Sequence, residues 1–533
     1  MKLNHEQDTA KELILQFLKN NDYNFFGLTG AGGTGKSTVI CQALANEKSI
    51  VYLGATNKVT GVLKSNLVRE GVENPKVKTI DSFLGFRMIK DEFNNTKITY
   101  KIPKPKDLPK IIVIDEISMI TFQKFEQIQN LSEHCKIILI GDHLQIPPIE
   151  EDRNSYFINE KGFKVSKVFS VIAPENSFNL TIQNRQKNGS DLYALISGFR
   201  EHMHLKIPAK KLAEKKHNGI DILYYNNNDP KFKEFLKEKE STAVCFKNLT
   251  VITLNWLIGS TKSMKKDYKL NEINVGDKLI FDQFYKHKED SFYTSNMVTI
   301  LEIEKNVSER FEIKKGMIKT ITFNKLKVID EFEQTKTIRY VHGGLYGENG
   351  GGVSASVYNQ RKTHLKYVNA GMDSKDSVKY LKDLNTRFLE LQNSFAKLKR
   401  AYAITCHKSQ GSTYDNVIIP VYDFYANNYL DINQLMYVAL SRAKSKIIFL
   451  DKNDNFKDNS NRYSFSEFEK NAICSAKDYK CCECRVKLID REFDIDHKLP
   501  LANGGKNTIE NLQALCKSCH AKKCTYEKNN KFY

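Results

Sequence analysis

Long apolar runs are absent from this sequence. Of its 533 residues, 41% are hydrophobic and 27% are charged, and no run approaches the roughly 18 to 20 apolar residues that a membrane-spanning helix needs. Residues 1–20 have an amphipathic helical pattern that contains acidic side chains, unlike a secretion signal. No short-period repeat is visible either. These absences argue against membrane and repeat architectures, and they predict a globular, cytoplasmic protein.

Acidic residues are outnumbered by basic ones. The chain has 63 Asp and Glu residues against 82 Lys and Arg residues, which gives a formal net charge of +19 and a pI near 9.2. A polyanion is therefore one expected partner, because each phosphate that Lys or Arg neutralises releases condensed counterions. A Lys-rich solvated surface explains the same charge equally well. Charge alone leaves both interpretations open.

Cysteine is scarce until the end of the chain. Seven of the 11 cysteines lie at position 474 or later, whereas the other four are scattered singly. Such clustering in an intracellular chain favours a metal site over disulfides. Cys481 and Cys484 form one C-x-x-C pair, and Cys516 and Cys519 form a second. Two such pairs supply the four thiolates of a structural Zn²⁺, although the adjacent Cys482 leaves the register of the first pair open.

The segment GAGGTGKST, residues 30–38, has the composition and the surroundings of a phosphate-binding loop. It follows the apolar strand pattern FFGL at residues 25–28 and overlaps the start of the helical pattern STVICQALA. Its glycines allow backbone N–H groups to surround phosphates at a helix N-terminus, while Lys36 reaches the outer phosphates and Ser37 binds Mg²⁺. The predicted nucleotide-binding residues of this loop are Gly30, Gly32, Gly33, Thr34, Gly35, Lys36, Ser37 and Thr38.

Two later strand patterns predict polar residues beside this loop. The pattern in KIIVIDEISMI ends at Asp115 and Glu116, and the one in KIILIGDHLQIPPI is followed by Asp142 and Gln145. Residues at the carboxyl ends of parallel strands face the ligand crevice. Adjacent acids usually lie on the surface, but the apolar β-formers before this pair favour the crevice instead. We therefore expect Asp115 to hold Mg²⁺ through water and Glu116 to polarise the attacking water.

Four segments in a fixed order resemble one enzyme family. DEISM, GDHLQIPPI, YAITCHKSQGSTYDNVII and MYVALSRAK follow one another as in superfamily 1 helicases, most closely the superfamily 1B DNA helicases of the Dda/RecD-like group. The resemblance spans roughly residues 1–455. It implies an ATP-dependent helicase or translocase that moves 5′→3′ on single-stranded DNA, with ATP and Mg²⁺ as cofactors. Forked or nicked duplex DNA is a further implied partner, in a prokaryotic cell or a phage-infected host.

The same resemblance implies roles for single residues in the nucleotide site. Gln7 reads the adenine base, Gln145 senses the γ phosphate, and Gly411 contacts the nucleotide. Arg185 and Arg442 correspond to the two arginines that the second motor domain supplies. A guanidinium forks onto phosphate oxygens and neutralises charge in the transition state. An ordinary role at the start of a helix remains the alternative for Gln7.

Contacts with the DNA strand are less specified. The resemblance places Thr405 and His407 near the strand, although a purely structural role remains the alternative for His407. Asp81 stands where the family commonly has His, which leaves that contact open. Residues 86–101 have a hairpin pattern that resembles the family's duplex-separating pin.

The tail between the two cysteine pairs resembles the HNH endonuclease family. The stretch DIDHKLPLANGGKNTIENLQALCKSCH has the DH, NL and CH pattern of that family, whose ββα fold holds a divalent ion against a phosphodiester. The resemblance implies that His497 is the general base and that Asn511 orients its imidazole. It also assigns Asp496 and His520 to a catalytic Mg²⁺ or Mn²⁺. Asp494 is a weaker candidate ligand, because it stands out of register with the family pattern.

Length and motifs together predict an α/β protein of several domains, because 533 residues exceed what one hydrophobic core supports. The helicase resemblance implies two RecA-like motor domains with an inserted β-hairpin pin and an SH3-like β-barrel. The HNH resemblance implies a zinc-stapled ββα-metal (HNH) domain, which a polar linker precedes. The predicted boundaries are 1–172 for motor domain 1A with the pin at about 86–103, 173–267 and 396–454 for motor domain 2A, 268–395 for the inserted SH3-like 2B region, 455–469 for the linker and 470–533 for the HNH domain.

The sequence therefore predicts an ATP-dependent 5′→3′ DNA helicase with an appended HNH endonuclease. Three alternatives stay open. They are a helicase whose zinc module binds DNA without cleaving it, a motor that acts on RNA, and an ATPase scaffold that does not unwind. Cleavage by the purified protein, stimulation of ATPase activity by RNA against DNA, and strand separation distinguish them.

Overall fold

The computed structural model describes residues 3–90, 96–147, 155–186, 190–205, 221–265, 267–314, 316–342, 344–346, 353–369, 374–424, 429–451, 465–505 and 508–529. Residues 91–95 of the expected hairpin lie outside these ranges, as do positions 455–464 of the expected linker. None of the helices within these ranges is long and apolar enough to cross a membrane. The chain forms two compact units, Met1–Val251 with Ile404–Asn459, and Ile252–Ala403 with Ser460–Tyr533.

Strands are numbered along the chain. They are β1 Phe25–Gly30, β2 Ile50–Gly54, β3 Val77–Thr79, β4 Arg87–Lys90, β5 Thr96–Thr99, β6 Ile111–Asp115, β7 Lys136–Gly141, β8 Tyr156–Ile158, β9 Lys164–Ser166, β10 Ser177–Leu180, β11 Ile222–Asn226, β12 Thr242–Cys245, β13 Lys278–Phe281, β14 Tyr285–His287, β15 Asp290–Phe292, β16 Met297–Lys314, β17 Met317–Asp330, β18 Thr335–Tyr340, β19 Leu398–Arg400, β20 Ala403–Thr405, β21 Tyr414–Pro420, β22 Ala443–Asp451, β23 Phe493–His497 and β24 Leu512–Cys516.

Helices are numbered in the same way. They are α1 His5–Lys19, α2 Lys36–Ala43, α3 Asn57–Arg69, α4 Ile80–Phe83, α5 Phe122–Gln129, α6 Asp191–His202, α7 Pro230–Glu238, α8 Asn248–Ser263, α9 Val353–Asn369, α10 Ser374–Asn393, α11 Cys406–Ser409, α12 Tyr429–Ser441, α13 Glu467–Ser475 and α14 Lys517–Asn529.

The first unit is built on two sheets of parallel strands. One has the strand order β10-β1-β7-β6-β2-β3, and the other has the order β11-β22-β21-β12-β20. Parallel strands are covered on both faces, which is why β6 and β7 consist almost entirely of buried Ile, Leu and Val. Because β1, β7 and β6 are adjacent, their carboxyl ends lie side by side. The α/β class that the sequence predicts is thus confirmed.

The second unit contains an antiparallel sheet in the order β18-β17-β16-β13-β19. Helices α9 and α10 pack on its long β16–β17 pair through Val357, Leu384 and Phe388, which contact Ile321 and Phe323 in one apolar cluster. This β-rich part coincides with the region where the sequence predicts an inserted barrel. Its SH3-like character and the role of the β4–β5 hairpin as a pin stay predictions.

The cysteine-rich tail belongs to the second unit and has two antiparallel strands, β23 and β24, followed by helix α14. It is attached by a set of hydrogen bonds that we term the tail contact. The buried Ser475 hydroxyl donates to Tyr268 O at 2.8 Å and accepts from Leu270 N at 2.9 Å. The Tyr479 hydroxyl donates to Tyr268 O at 3.1 Å and accepts from Trp256 Nε1 at 3.1 Å. The tail is therefore packed against its own unit.

Candidate nucleotide and nuclease sites

The loop between β1 and α2 encloses the Lys36 side chain. Lys36 Nζ donates to the carbonyl oxygens of Gly30 at 2.8 Å and Ala31 at 2.9 Å. Gly35 begins helix α2 with a φ of 83°, a left-handed conformation that glycine adopts without strain. The sequence motif therefore folds as a compact turn that presents a lysine at a helix N-terminus.

Three carboxylates face this lysine from the carboxyl ends of β6 and β7. Burial lowers the pKa of Lys36, and the charges of Asp142, Glu116 and Asp115 oppose that shift. Asp115 Oδ1 accepts the backbone N–H of Glu116 at 2.9 Å, and Glu116 has an unusual φ of 53°. Burial and the neighbouring Glu116 raise the pKa of Asp115 to about 7, while Lys36 counteracts them. Oxygen ligands of this kind fit Mg²⁺.

Gln145 is a buried polar side chain in the turn after β7. Its backbone N–H donates to Asp142 O at 3.0 Å, and its side chain is 3% exposed. Within the described ranges, Gln145 Oε1 has no hydrogen-bond partner. A buried acceptor left unpaired costs about 1 to 3 kcal/mol. The unpaired Gln145 Oε1 therefore fits a hydrogen-bond acceptor for a nucleotide, or for its water molecule, bound at the phosphate loop.

Arg185 reaches over the phosphate loop and bridges it to helix α12. Arg185 NH1 donates to Ser441 O at 2.7 Å. A Cβ atom on Gly33 would collide with Arg185 Cβ, so glycine permits this close approach. Burial and the nearby Arg442 guanidinium lower the pKa of Arg185 to about 10. Two cations held together beside phosphate-binding N–H groups favour a polyanionic ligand.

Arg442 is itself anchored by its surroundings. Only 2% of it is exposed, and its guanidinium donates to Val438 O at 3.0 Å, Ser412 O at 3.2 Å and Ser441 Oγ at 3.0 Å. The bond to Ser412 holds the backbone directly after Gly411. Gly411 itself has a left-handed φ of 74°. Arg442 thus helps to fix Ser441, whose carbonyl oxygen accepts from Arg185. It also adds a second positive charge to the site.

The other residues predicted for the nucleotide site divide by what their side chains contact. The Gln7 amide accepts from Asn4 N at 3.0 Å and donates to Thr34 O at 3.0 Å, so it both caps α1 and holds the phosphate loop. The Thr38 hydroxyl donates to Glu70 at 3.2 Å. Ser37 is half-buried in the first turn of α2. A Cβ on Gly32 would lie 3.2 Å from Arg185 NH1. Adenine recognition by Gln7 stays a prediction.

A buried ion pair next to the nucleotide site was not predicted from the sequence. Arg200 NH1 donates to Asp142 Oδ2 at 2.8 Å, and the Tyr437 hydroxyl donates to the same oxygen at 2.8 Å. Asp142 lies after β7, whereas Arg200 and Tyr437 belong to helices α6 and α12. No local motif marks these two residues, because their partner is 58 and 295 positions away.

The residues expected near a DNA strand have structural contacts of their own. The Thr405 hydroxyl accepts from Lys408 N and begins helix α11. Burial lowers the pKa of His407, so its imidazole is neutral near pH 7. Asp81 pairs with Lys124 at 2.8 Å. Their roles toward DNA stay predictions.

The four cysteines of the two C-x-x-C pairs come together. The sulfur atoms of Cys481, Cys484, Cys516 and Cys519 all lie within 4.8 Å of one another, whereas Cys482 is outside the cluster. Cys484 and Cys516 are separated by 3.7 Å, close to the roughly 3.8 Å that tetrahedral Zn–S bonds of about 2.3 Å require. Hydrogen bonds from the Ser518 hydroxyl and the Cys519 backbone lower the pKa of Cys516 to about 6 and favour thiolate. The set fits Zn²⁺.

Strand β23 presents Asp494 and Asp496 to helix α14. Strand alternation puts Asp494 and Asp496 on the same side of β23. His520 Nδ1 lies 2.8 Å from Asp494 Oδ2, and Lys523 Nζ donates to Asp496 Oδ2 at 2.5 Å. Lys517 donates to the other oxygen of Asp494 at 2.8 Å. Asp494 therefore contacts a predicted metal ligand, although its place in the motif made it the weaker candidate. The alternation of side chains along β23, which puts Asp494 on the same side as Asp496, would have indicated this position.

Asn511 holds the loop that follows His497. Its Oδ1 accepts from Leu499 N at 2.8 Å, and its Nδ2 donates to Leu499 O at 2.9 Å. A Cβ on Gly505 would collide with Leu499 O, so only glycine allows this loop to close. These bonds hold the backbone two residues after His497. Orientation of the His497 imidazole by Asn511 stays a prediction.

Three family models match parts of this chain. Residues 18–151 match the AAA domain, residues 400–450 match the UvrD-like helicase C-terminal domain, and residues 481–525 match the HNH endonuclease domain. The first two ranges hold the phosphate loop and Arg442, and the third holds the cysteine cluster and His497. The chain therefore carries helicase domains followed by an HNH domain.

Two curated proteins and one solved structure are among those similar to this chain. The RecBCD enzyme subunit RecD of Buchnera aphidicola is 24% identical over 504 residues, covering 80% of this chain and 70% of its own length. The ATP-dependent DNA helicase dda of Enterobacteria phage T4 is 22% identical over 486 residues, covering 84% and 99%. The crystal structure of Bacteroides Pif1 bound to single-stranded DNA is 16% identical with a TM-score of 0.48, covering 84% and 92%. The chain is thus similar to helicases of superfamily 1B, the group that its motifs resemble.

Proposed function

We propose that this protein is an ATP-dependent 5′→3′ DNA helicase or translocase on single-stranded DNA that carries an HNH endonuclease able to nick or cut DNA. The observation that carries the motor assignment is the Arg185–Ser441 hydrogen bond of 2.7 Å across the phosphate loop. It joins Arg185, which packs on Gly33 of the phosphate loop, to the last residue of helix α12, two residues before strand β22 of the second sheet. Closing and opening this bridge in step with ATP hydrolysis would alternate the grip of the motor on one DNA strand.

The residues around the loop have separate tasks in hydrolysis. Lys36 and Arg185 neutralise negative charge on the phosphates, and Glu116 accepts a proton from the attacking water. Gln145 contributes its unpaired buried oxygen to position that water. Mg²⁺, held by Ser37 and Asp115, supplies charge stabilisation when bound. The Asp142–Arg200–Tyr437 cluster keeps the turn that carries Gln145 against helices α6 and α12.

In the tail, His497 accepts a proton from the water that attacks a phosphodiester. Asn511 keeps the loop after His497 in one conformation through Leu499. Asp496 and His520 would hold a divalent ion, which supplies stabilisation of the charge on the phosphate when bound. The four-cysteine cluster holds the start of helix α14, from which His520 projects one residue after Cys519.

A second candidate is a tail that binds DNA without cutting it. The observation that favours it is the Lys523–Asp496 ion pair, because an ammonium group already neutralises the carboxylate that a metal would need. In this case the zinc module grips duplex DNA for the motor.

Nicking of supercoiled plasmid by the full-length protein tests the proposal. Wild type, His497→Ala and Lys36→Ala are compared in Mg²⁺ or Mn²⁺, with ATP present or absent. We expect His497→Ala to lose nicking and keep DNA-stimulated ATPase activity, and Lys36→Ala to lose ATPase activity and unwinding. No nicking by wild type with intact ATPase activity would favour the DNA-binding tail. Retained ATPase activity in Lys36→Ala would overturn the phosphate-loop assignment.

Direction is tested on partial duplexes that differ only in which strand carries the single-stranded tail. Release of the paired strand from the substrate with a 5′ tail is the expected result. Faster release from the substrate with a 3′ tail would overturn the 5′→3′ assignment, and ATPase stimulation stronger by RNA than by DNA would overturn the choice of DNA.

A further inference from the structure

A concave pocket of about 470 Å³ opens on the tail beside the candidate nuclease residues. We term it the basic pocket. Its charged lining consists of Lys477, Arg485, Lys498 and Lys523 with a single acid, Glu483. These residues come from separate parts of the tail, so the fold assembles the pocket and no short motif encodes it.

The positive charges of the basic pocket are incompletely compensated. Lys523 is neutralised by Asp496, but Lys477, Arg485 and Lys498 form no ion pair with any acidic residue in the part of the chain that the structure describes. Lys477 Nζ is held by a neutral group, the carbonyl oxygen of Ile509, at 3.1 Å. Burial and the nearby Lys498 charge lower the pKa of Lys477. An anion in the pocket would relieve this repulsion.

The basic pocket is continuous with the candidate nuclease site. Gln513, which lines the pocket, donates from Nε2 to Asp496 Oδ2 at 3.3 Å. Lys523 bonds both Asp496 Oδ2 and the carbonyl oxygen of His497 at 2.5 Å. Lys498 directly follows His497 in the chain. An anion bound by these lysines would therefore lie next to Asp496 and His497, the residues proposed to act on a phosphodiester.

We propose that the basic pocket binds a backbone phosphate of the DNA strand, adjacent to the phosphodiester that the nuclease residues attack. This inference rests on the proposed nuclease function for its position on the substrate, and it assigns Lys477 and Lys498 as positioning residues. A phosphodiester fits better than an acidic peptide, because successive phosphates along one strand reach both the pocket and His497. Lysine contacts of this kind hold the strand in register without selecting its sequence.

Binding of a fluorescently labelled, blunt-ended DNA duplex to the full-length protein tests the inference. A blunt duplex is chosen because the motor is proposed to engage single strands, and every protein in the series carries His497→Ala so that the probe stays intact. The pocket variant is Lys477→Glu with Lys498→Glu. The matched control is Lys480→Glu with Lys522→Glu, which makes the same charge change at exposed positions outside the pocket lining.

We expect the pocket variant to weaken duplex binding about tenfold or more and to flatten the dependence of log K on log salt concentration by about one, the change for one lost phosphate contact. The control variant should change both quantities much less. Equal weakening by the two variants would overturn the pocket, since general charge would then explain the effect. Unchanged binding by the pocket variant would overturn it as well.

Two further measurements separate failure of the pocket from failure of the proposed function. Zinc content verifies that each variant keeps its fold, and Lys498→Glu alone replaces the double variant if Lys477→Glu unfolds the tail. Nicking is then measured with His497 restored. A pocket variant that binds duplex weakly but nicks like wild type would overturn the positioning role. If wild type does not nick, selective loss of binding by the pocket variant still supports the phosphate site.

Discussion

Arg185 shows at the scale of one residue how the motor site depends on geometry. Its guanidinium donates to Ser441 O while its side chain packs against Gly33. Lysine has the same charge, but it lacks the planar fork that can serve a carbonyl oxygen and a phosphate together. The position therefore requires arginine in particular, and positive charge alone is insufficient.

We predict that Arg185→Lys lowers kcat for DNA-stimulated ATP hydrolysis about 10³-fold, because the bridge to Ser441 and the charge on the phosphates no longer coincide. KM for ATP should change far less, since Lys36 and the loop still bind the nucleotide. Steady-state ATPase assays measure both constants. Arg69→Lys, at an exposed position, is the control. A kcat equal to that of wild type would contradict the role of Arg185.

Asp494 of the tail is the second residue for which we predict the effect of a substitution. It bonds His520 Nδ1 at 2.8 Å and Lys517 Nζ at 2.8 Å. We predict that Asp494→Asn reduces plasmid nicking about 10- to 100-fold, the usual cost of losing a group that orients a metal ligand. Zinc content should stay at the wild-type level. Glu492→Gln, which is exposed on the same segment, controls for loss of charge. Nicking at the wild-type rate would show that Asp494 does not orient His520.

At the scale of elements, the sequence indicated sites that lie within one strand, loop or turn. Residues 30–38 are contiguous, and Asp115 follows from the end of an apolar strand. The bonds between distant elements had no such signal. Asp142 meets Tyr437 across 295 positions, and Ser475 meets Tyr268 across 207. Only the tertiary packing of distant segments creates these pairs, so no local pattern could have predicted them.

The tail contact is the element whose strength we predict next. Tyr479→Phe removes the hydroxyl that accepts from Trp256 Nε1 and donates to Tyr268 O. We expect this to weaken the contact by about 1 to 3 kcal/mol, because the partly buried Trp256 N–H donor loses its acceptor. Trp256 is the single tryptophan of the chain, so its fluorescence during urea unfolding reports on this contact.

The transition of the Trp256 signal should shift to lower urea concentration in Tyr479→Phe. Tyr526→Phe, at a position that is 70% exposed, should leave it in place. Identical transitions for Tyr479→Phe and wild type would mean that the tail does not depend on these bonds.

At the scale of the whole molecule, the residues for the two proposed activities lie in different units. The phosphate loop and both arginines belong to the first unit, whereas the cysteine cluster and His497 belong to the second. The first unit has a large apolar core of its own, but the tail relies on a small cluster around Leu488 and Leu515 together with its thiolates. Small domains of this kind usually need a metal to stay folded.

We predict that removing zinc with a strong chelator abolishes nicking and leaves DNA-stimulated ATPase activity close to its original level. The assay dialyses away the chelator and restores Mg²⁺ before both activities are measured, so that loss of the catalytic ion is not the cause. Cys484→Ser should reproduce the result without chelation. Parallel loss of ATPase activity would contradict the independence of the two units.

The cysteines of the two units also differ in their expected reactivity toward oxidants. Cys41, Cys135, Cys245 and Cys406 are buried in the first unit, and burial raises the pKa of each. Cys484 is exposed, and hydrogen bonds favour the thiolate of Cys516. Thiolates react with oxidants and neutral buried thiols do not. We therefore expect peroxide to oxidise the cysteine cluster of the tail before the buried cysteines of the first unit, so that the proposed nicking would be lost while the proposed motor activity remains.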